Sequence, residues 1–219
     1  MIDKLLPAPI VTAETFEDFP LSEMYPEEWA LVENAVPKRQ KEFGTVRACA
    51  RTALSHFGIP PAPILPGPGR APQWPDGIVG ALTHCNGYRA AAVARTRDLH
   101  SLGLDAEPNQ PITDPGVLDL ITLPEERPQL TRLAALEPDV SWDRLIFSAK
   151  ESVYKAWYPL TSRWLDFHQA HLTLDPTDAT FTARLLVPGP VVDGTTIQEF
   201  NGRWMVGAGF VVTAVVVGR

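Results

Sequence analysis

Cysteine is scarce: Cys49 and Cys85 are the only two in 219 residues. Two cysteines neither build a disulfide framework nor complete a four-ligand zinc site alone, so a reduced, intracellular protein is the simpler expectation. Long apolar runs are also missing, and none reaches the roughly 18 residues of a membrane span. The N-terminal stretch MIDKLLPAPIVTAETFEDF is broken by Pro7 and Pro9 and followed by acids, not by the small residues of a secretory cleavage site. Positive charge is in deficit, with 19 Lys and Arg against 26 Asp and Glu for a net charge of −7. No general attraction to nucleic acid or to an anionic membrane follows, and any polyanion must meet a local basic cluster. A cytoplasmic protein is expected, with a monomer as the default.

What is present suffices for a substantial core: 45% of the residues are hydrophobic. Pro37 can open a helix in which Phe43, Val46, Ala50, Leu54 and Phe57 recur at helical spacing until Gly58. Its other side carries Arg39, Arg47 and Arg51, a basic face in an acidic chain. Pro60 to Pro75 holds seven prolines and two glycines in sixteen residues, which predicts an ordered loop. Strands are expected over 78–82, 89–95 and 99–106, with Asn86-Gly87 punctuating the first pair. A second helix should start after Ser141, bury Trp142, Leu145, Ile146, Ala149, Val153, Ala156 and Trp157, and stop at Pro159. Strands return over 171–174, 181–187, 196–200 and 203–217, the last two joined by an Asn201-Gly202 hairpin turn. No residue-by-residue repeat relates the halves, but one long helix and about three strands in each suit an α+β fold.

Two constellations carry chemistry. Asp105 and Glu107 lie two apart in a strand, so both carboxylates share one face while Leu102, Leu104 and Ala106 share the other. Like charges this close raise one pKa unless a cation lies between them, although acidic pairs are also common on solvated strand ends. In the second helix Phe147, Glu151 and Lys155 follow one another at fourth-residue spacing, opposite the core-facing row of Leu145, Ala149 and Val153. In isolation Glu151 and Lys155 read as an exposed ion pair worth about 0.3–0.5 kcal/mol. Cys85 beside His84 is a poor nucleophile, because neighbouring side chains on an extended segment point to opposite faces. His168 and His171 do not make a metal site for the same reason.

Taken together, Gly103-Leu104-Asp105-Ala106-Glu107 and the Phe147 to Lys155 helix resemble the paired signatures of Sfp-type 4'-phosphopantetheinyl transferases. Val46-Arg47, Ala62-Pro63-Ile64-Leu65, Trp74-Pro75-Asp76-Gly77, Leu82-Thr83-His84-Cys85, Lys155-Ala156-Trp157 and Arg163-Trp164-Leu165 look like the actinobacterial branch of that family. The resemblance runs from about Phe16 to Leu174.

It implies an α+β fold of two similar halves with pseudo-twofold symmetry, an N-terminal half (1–103) and a C-terminal half (104–219), acting as one functional unit around coenzyme A. The implied reaction moves the phosphopantetheine arm of coenzyme A to a serine of an apo acyl or peptidyl carrier protein. Asp105, Glu107 and Glu151 would hold Mg2+, with Mn2+ as an alternative. Glu151 would act as base, and Lys155 would neutralise charge at the reacting phosphate. Arg39, Arg47, Arg51, Thr83, His84, Lys150 and Lys155 would contact coenzyme A. Many relatives have a Gly-Lys-Pro stretch where this chain reads Pro66-Gly67-Pro68-Gly69-Arg70-Ala71-Pro72, so Arg70 is the candidate substitute for the lysine. A metal-dependent phosphohydrolase and a non-catalytic coenzyme A or carrier-protein binding module are the alternatives.

Overall fold

Alternating and helical stretches of this chain assemble into two antiparallel sheets, each with one long helix on a face. The computed structural model describes residues 1–219. In chain order the elements are β1 (Val11–Thr15), α1 (Pro26–Trp29), α2 (Pro37–Ser55), β2 (Ile78–Cys85), β3 (Tyr88–Arg95), β4 (Leu99–Pro108), α3 (Pro115–Ile121) and α4 (Arg127–Leu136). They continue with α5 (Trp142–Thr161), β5 (Ala170–Asp175), β6 (Thr180–Leu185), β7 (Val191–Val192), β8 (Thr195–Thr196), β9 (Glu199–Gly207) and β10 (Phe210–Gly218). The first sheet has the order β1-β3-β2 and the second β4-β10-β9-β6-β5, while β7 and β8 form a small ribbon. This is the α+β class expected from the sequence, in two unequal helix-on-sheet halves.

β3 shows how small side chains set the layering. Ala90 to Ala94 are fully buried, because alternate residues serve different cores. Ala91 and Val93 pack with Cys49, Ala50, Ala53 and Leu54 of α2. Ala90 and Ala92 join Leu102, Leu104 and Ala106 of β4 and Val212 and Ala214 of β10. On the second sheet, Leu145, Ala149, Val153, Ala156 and Trp157 of α5 pack with Val211 and Val215 of β10 and Leu172, Phe181 and Phe200 beyond. Each such Leu or Val contributes about 1.5–3 kcal/mol on burial.

Three expectations are corrected. Asn201-Gly202 lies inside β9, where a Cβ on Gly202 would be 2.0 Å from the Phe181 ring. That glycine serves packing, and the hairpin turns at Ala208-Gly209, whose φ angles are 51° and 83°. Pro159 does not stop α5, which continues to Thr161 and ends where Ser162 turns left-handed at φ 53° and donates its N–H to the Tyr158 carbonyl. Ser141 occupies the N-cap without its side chain capping. The chain itself passes from the first sheet to the second in the turn between Arg95 and Leu99, and β4 is continuous through positions 103 and 104.

Candidate active site

The site begins with a glycine. A Cβ on Gly103 would lie 1.8 Å from the Ser152 carbonyl oxygen and 2.9 Å from the Ala156 amide nitrogen. Only a residue without a side chain lets α5 press this closely onto β4, and Ser101 fastens the contact by donating its hydroxyl to the Ala156 carbonyl at 2.7 Å. The approach places Lys155 over the strand, its Nζ donating to the Leu104 carbonyl at 3.1 Å and to Asp105 Oδ1 at 2.7 Å. Asp105 is buried, and Thr83 of β2 also donates to Oδ1, at 3.3 Å, while accepting the Ala106 N–H at 3.0 Å. Asp105 Oδ2 is buried without a hydrogen-bond partner.

Glu107 lies two residues along the same face, 3.5 Å from Arg144 of α5. Burial pushes its pKa up to about 7, with Asp105 and Glu151 adding to the rise and Arg144 and Lys155 opposing it. Burial likewise raises Glu151, aided by Asp105 and opposed by Lys155. The three carboxylates thus act on one another's charge. They do not stand as a finished ligand set, since no three His, Cys, Asp or Glu side chains are close enough to hold one ion. A physical reason is at hand in Lys155, whose ammonium already supplies positive charge at Asp105.

Facing this group is the basic end of α2. Arg39 Nη1 is 2.8 Å from His84 Nε2, and His84 Nδ1 is 3.5 Å from Glu42. Burial lowers the His84 pKa to about 4, and the charges of Arg39, Lys155, Arg89 and Arg47 push the same way. One imidazole therefore feels both the arginines of the first half and the lysine of the second. Arg47 is buried, donates to the Ile64 and Phe43 carbonyls at 2.7 and 3.2 Å, and stacks 3.2 Å from the Phe43 ring. Burial lowers its pKa to about 10. It ties the proline-rich loop to α2 while leaving its charge beside Arg39. Arg70 is exposed at φ 64°, after a Gly69 whose Cβ would be 2.3 Å from Tyr158 of α5.

Two candidates have other work. Arg51 forms an ion pair with the fully buried Glu28 at 2.8 Å and lies over the Tyr25 ring. Lys150 is buried, with Nζ 2.7 Å from Glu126 and 2.8 Å from the Phe167 carbonyl. Each is committed to a buried acid, which needs a partner, so neither offers an unpaired charge to coenzyme A. Replacing Arg51 with Met should therefore lower the melting temperature while shifting the KM for coenzyme A by no more than about twofold, since one pKa unit or tenfold would mark a direct charge contact. Thermal denaturation and initial rates on the same preparation check both halves of that expectation.

Sequence reasoning missed Glu42, Arg89 and Arg144. It also missed a slot beside Glu151, lined by Val153, Tyr154, Trp164, Leu165 and Phe167. Glu42 lies three residues from Arg39 on a helix, a spacing that marks shared faces, whereas nothing local marks the slot.

Residues 27–94 match the family model for the 4'-phosphopantetheinyl transferase N-terminal domain, and residues 101–198 match that of the 4'-phosphopantetheinyl transferase superfamily. The 4'-phosphopantetheinyl transferase Svp of Streptomyces mobaraensis is 60% identical over 99% of this chain and 89% of its own length. The chain belongs to the 4'-phosphopantetheinyl transferases. Two further members are PptT of Mycobacterium tuberculosis, 46% identical over 97% of this chain and 98% of its own, and Npt of Nocardia iowensis, 45% identical over 98% and 99%. As a 4'-phosphopantetheinyl transferase it is an enzyme that uses coenzyme A and acts on carrier proteins. The junction between the two matched regions falls where β3 passes to β4, at the change of sheet. No helix is long and apolar enough to cross a membrane.

Proposed function

We propose that the region where the basic face of α2 meets the acidic junction of β4 with α5 transfers the phosphopantetheine arm of coenzyme A to a serine of an apo acyl or peptidyl carrier protein, releasing 3',5'-ADP. The carrying observation is that Lys155, paired to Asp105 at 2.7 Å, shares one electrostatic field with Glu107 and Glu151 on one side and His84 on the other. Arg39, His84 and the charge of Arg47 attract the phosphates, and Arg70 supplies a further cation. Glu151 accepts the serine proton, helped by a basicity raised through burial; a positioned general base contributes about 10²–10⁴ in rate. Lys155 turns from Asp105 to the phosphate oxygens as charge develops there. The slot beside Glu151, mostly apolar, suits the uncharged arm. Both halves, 1–103 and 104–219, work as one unit, in the cytoplasm and as a monomer.

The donor types also suit a divalent metal, around which the three carboxylates would have to draw together. Asp105 Oδ2 is a buried carboxylate oxygen without a partner, and Glu107 is held up to about 7 by burial and by neighbouring acids; hard oxygen donors of this kind suit Mg2+, with Mn2+ the alternative. Asp105, Glu107 and Glu151 would hold it. When bound, it supplies Lewis-acid stabilisation of the pyrophosphate charge.

Intact-mass measurement tests the reaction. Apo carrier protein incubated with coenzyme A, Mg2+ and this enzyme should gain the mass of the arm, and several competent apo carriers remaining unmodified would overturn the reading. Phosphate release without an acceptor would favour a phosphohydrolase.

A pH prediction follows from Glu107. Its pKa in the fold, about 7, lies above its ordinary 4.5, so between those values the metal-free fold binds more protons than the unfolded chain. Stability therefore falls as pH rises through that window. Melting temperatures should show this decline without metal, recover on adding Mg2+, and lose the metal-sensitive part in Glu107→Gln.

A further inference from the structure

We propose that Glu42 is a positioning residue that presets the His84 ring, and that the Arg39–His84–Glu42 row takes up a proton when a phosphate of coenzyme A arrives. This rests on the proposed placement of coenzyme A at the basic end of α2.

The partners dictate the tautomer. A guanidinium only donates, so with Arg39 Nη1 at 2.8 Å the His84 Nε2 must accept. The ring proton then sits on Nδ1, toward Glu42 Oε2 at 3.5 Å. The two flanking groups differ in freedom. Arg39 is exposed, whereas Glu42 is buried at 8% exposure on α2, with Arg89 Nη2 and Lys38 Nζ each 3.9 Å from its Oε1. Arg89 is itself buried and fixed by Asp18 at 2.8 Å. An anion reaching this face is met by Arg39, the mobile member, which leaves Nε2. A solvent proton then binds at Nε2 and is shared with a phosphate oxygen, while Glu42 holds the Nδ1 proton and balances the new charge. The charged groups facing the ring are Arg39, Glu42 and Arg47 of α2, Arg89 of β3 and Lys155 of α5. All but Glu42 are cationic, so Glu42 is the one neighbour that favours the charged ring. The free ring, with its pKa near 4, is neutral at neutral pH. Binding raises that pKa, so affinity strengthens as pH falls through the bound value.

Calorimetric titration of coenzyme A without metal, in two buffers of different ionisation enthalpy at about pH 6.5, counts the protons taken up. His84→Gln serves as reference, because it removes this ring's share and keeps the titration of the ligand's own phosphate. The wild type should take up a measurable fraction of a proton more than His84→Gln. Glu42→Ala should erase that excess and weaken coenzyme A binding about tenfold, the equivalent of one pKa unit. Glu42→Gln, whose amide oxygen can still face Nδ1, should keep more of the affinity yet lose most of the excess. It carries the test if Glu42→Ala fails to fold. Equal proton counts in wild type and His84→Gln, with coenzyme A bound, would overturn the inference, as would a full excess in Glu42→Gln. A wild-type protein that neither binds coenzyme A nor modifies carriers would instead overturn the proposed function.

Discussion

Asp105→Asn is expected to remain folded and to transfer the phosphopantetheine arm on the order of 10²–10³ times more slowly at saturating coenzyme A, the usual loss when one preorganised electrostatic group is removed. An asparagine oxygen can still accept the Thr83 hydroxyl that links β2 of the first sheet to β4 of the second, so the structural contact survives. The negative charge does not. Lys155 then keeps an acceptor at Oδ1 but no longer a balancing charge, and a carboxylate oxygen suited to a cation disappears from the buried Oδ2 position. Lys155 retains 27% side-chain exposure, so water can receive its ammonium and the loss of stability stays modest. Single-turnover rates and thermal melts on one sample separate the two effects. A near wild-type rate at limiting Mg2+ would refute the role given to Asp105.

Gly103→Ala should be the most damaging conservative change in the chain. The new methyl carbon would sit 1.8 Å from the Ser152 carbonyl oxygen, which is backbone and cannot rotate away, so α5 itself must lift from β4. Overpacking of this kind costs about 3 kcal/mol, which for a domain of this size lowers the melting temperature by about 10 °C. Activity should fall further than stability, because the same displacement draws Lys155 off Asp105. Gly202→Ala is the matched control. Its Cβ would meet the Phe181 ring at 2.0 Å, within the α5 core but away from Lys155 and Asp105, so it should melt early while the folded fraction keeps its specific activity. Equal loss of specific activity in both variants would count against Gly103 as the element that sets the Lys155 position.

Local periodicity made much of the machinery readable. The two-residue repeat puts Asp105 and Glu107 on one face, and the four-residue repeat separates Glu151 and Lys155 from Leu145, Ala149 and Val153, all three of which are fully buried. Pairing across the chain was not readable. Nothing near Lys150 announces Glu126, and nothing near Arg51 announces Glu28, so both cations looked available when each neutralises a buried acid. The Asn201-Gly202 turn failed for a related reason. A dipeptide's turn preference amounts to little beside the space an aromatic ring requires, and Phe181 claims the place of the missing side chain. Pro159 lacks only its own amide hydrogen, and a helix held by a long buried stripe tolerates that near its end.

Glu28 lies under the proline-rich loop, fully buried, accepting from Arg51 and from the Ile64 N–H, each at 2.8 Å. The loop is thereby fixed at that stretch from beneath by a buried acid and its partners. Its tip is closed separately, by the Pro66–Pro72 bridge and the Gly67 N–H donated to the Ala71 carbonyl at 2.7 Å. Anchorage and the proposed contact of Arg70 with coenzyme A thus fall on different stretches of one segment. The tip can diverge, exchanging a lysine for Arg70 at a shifted position, without refolding the framework beneath it.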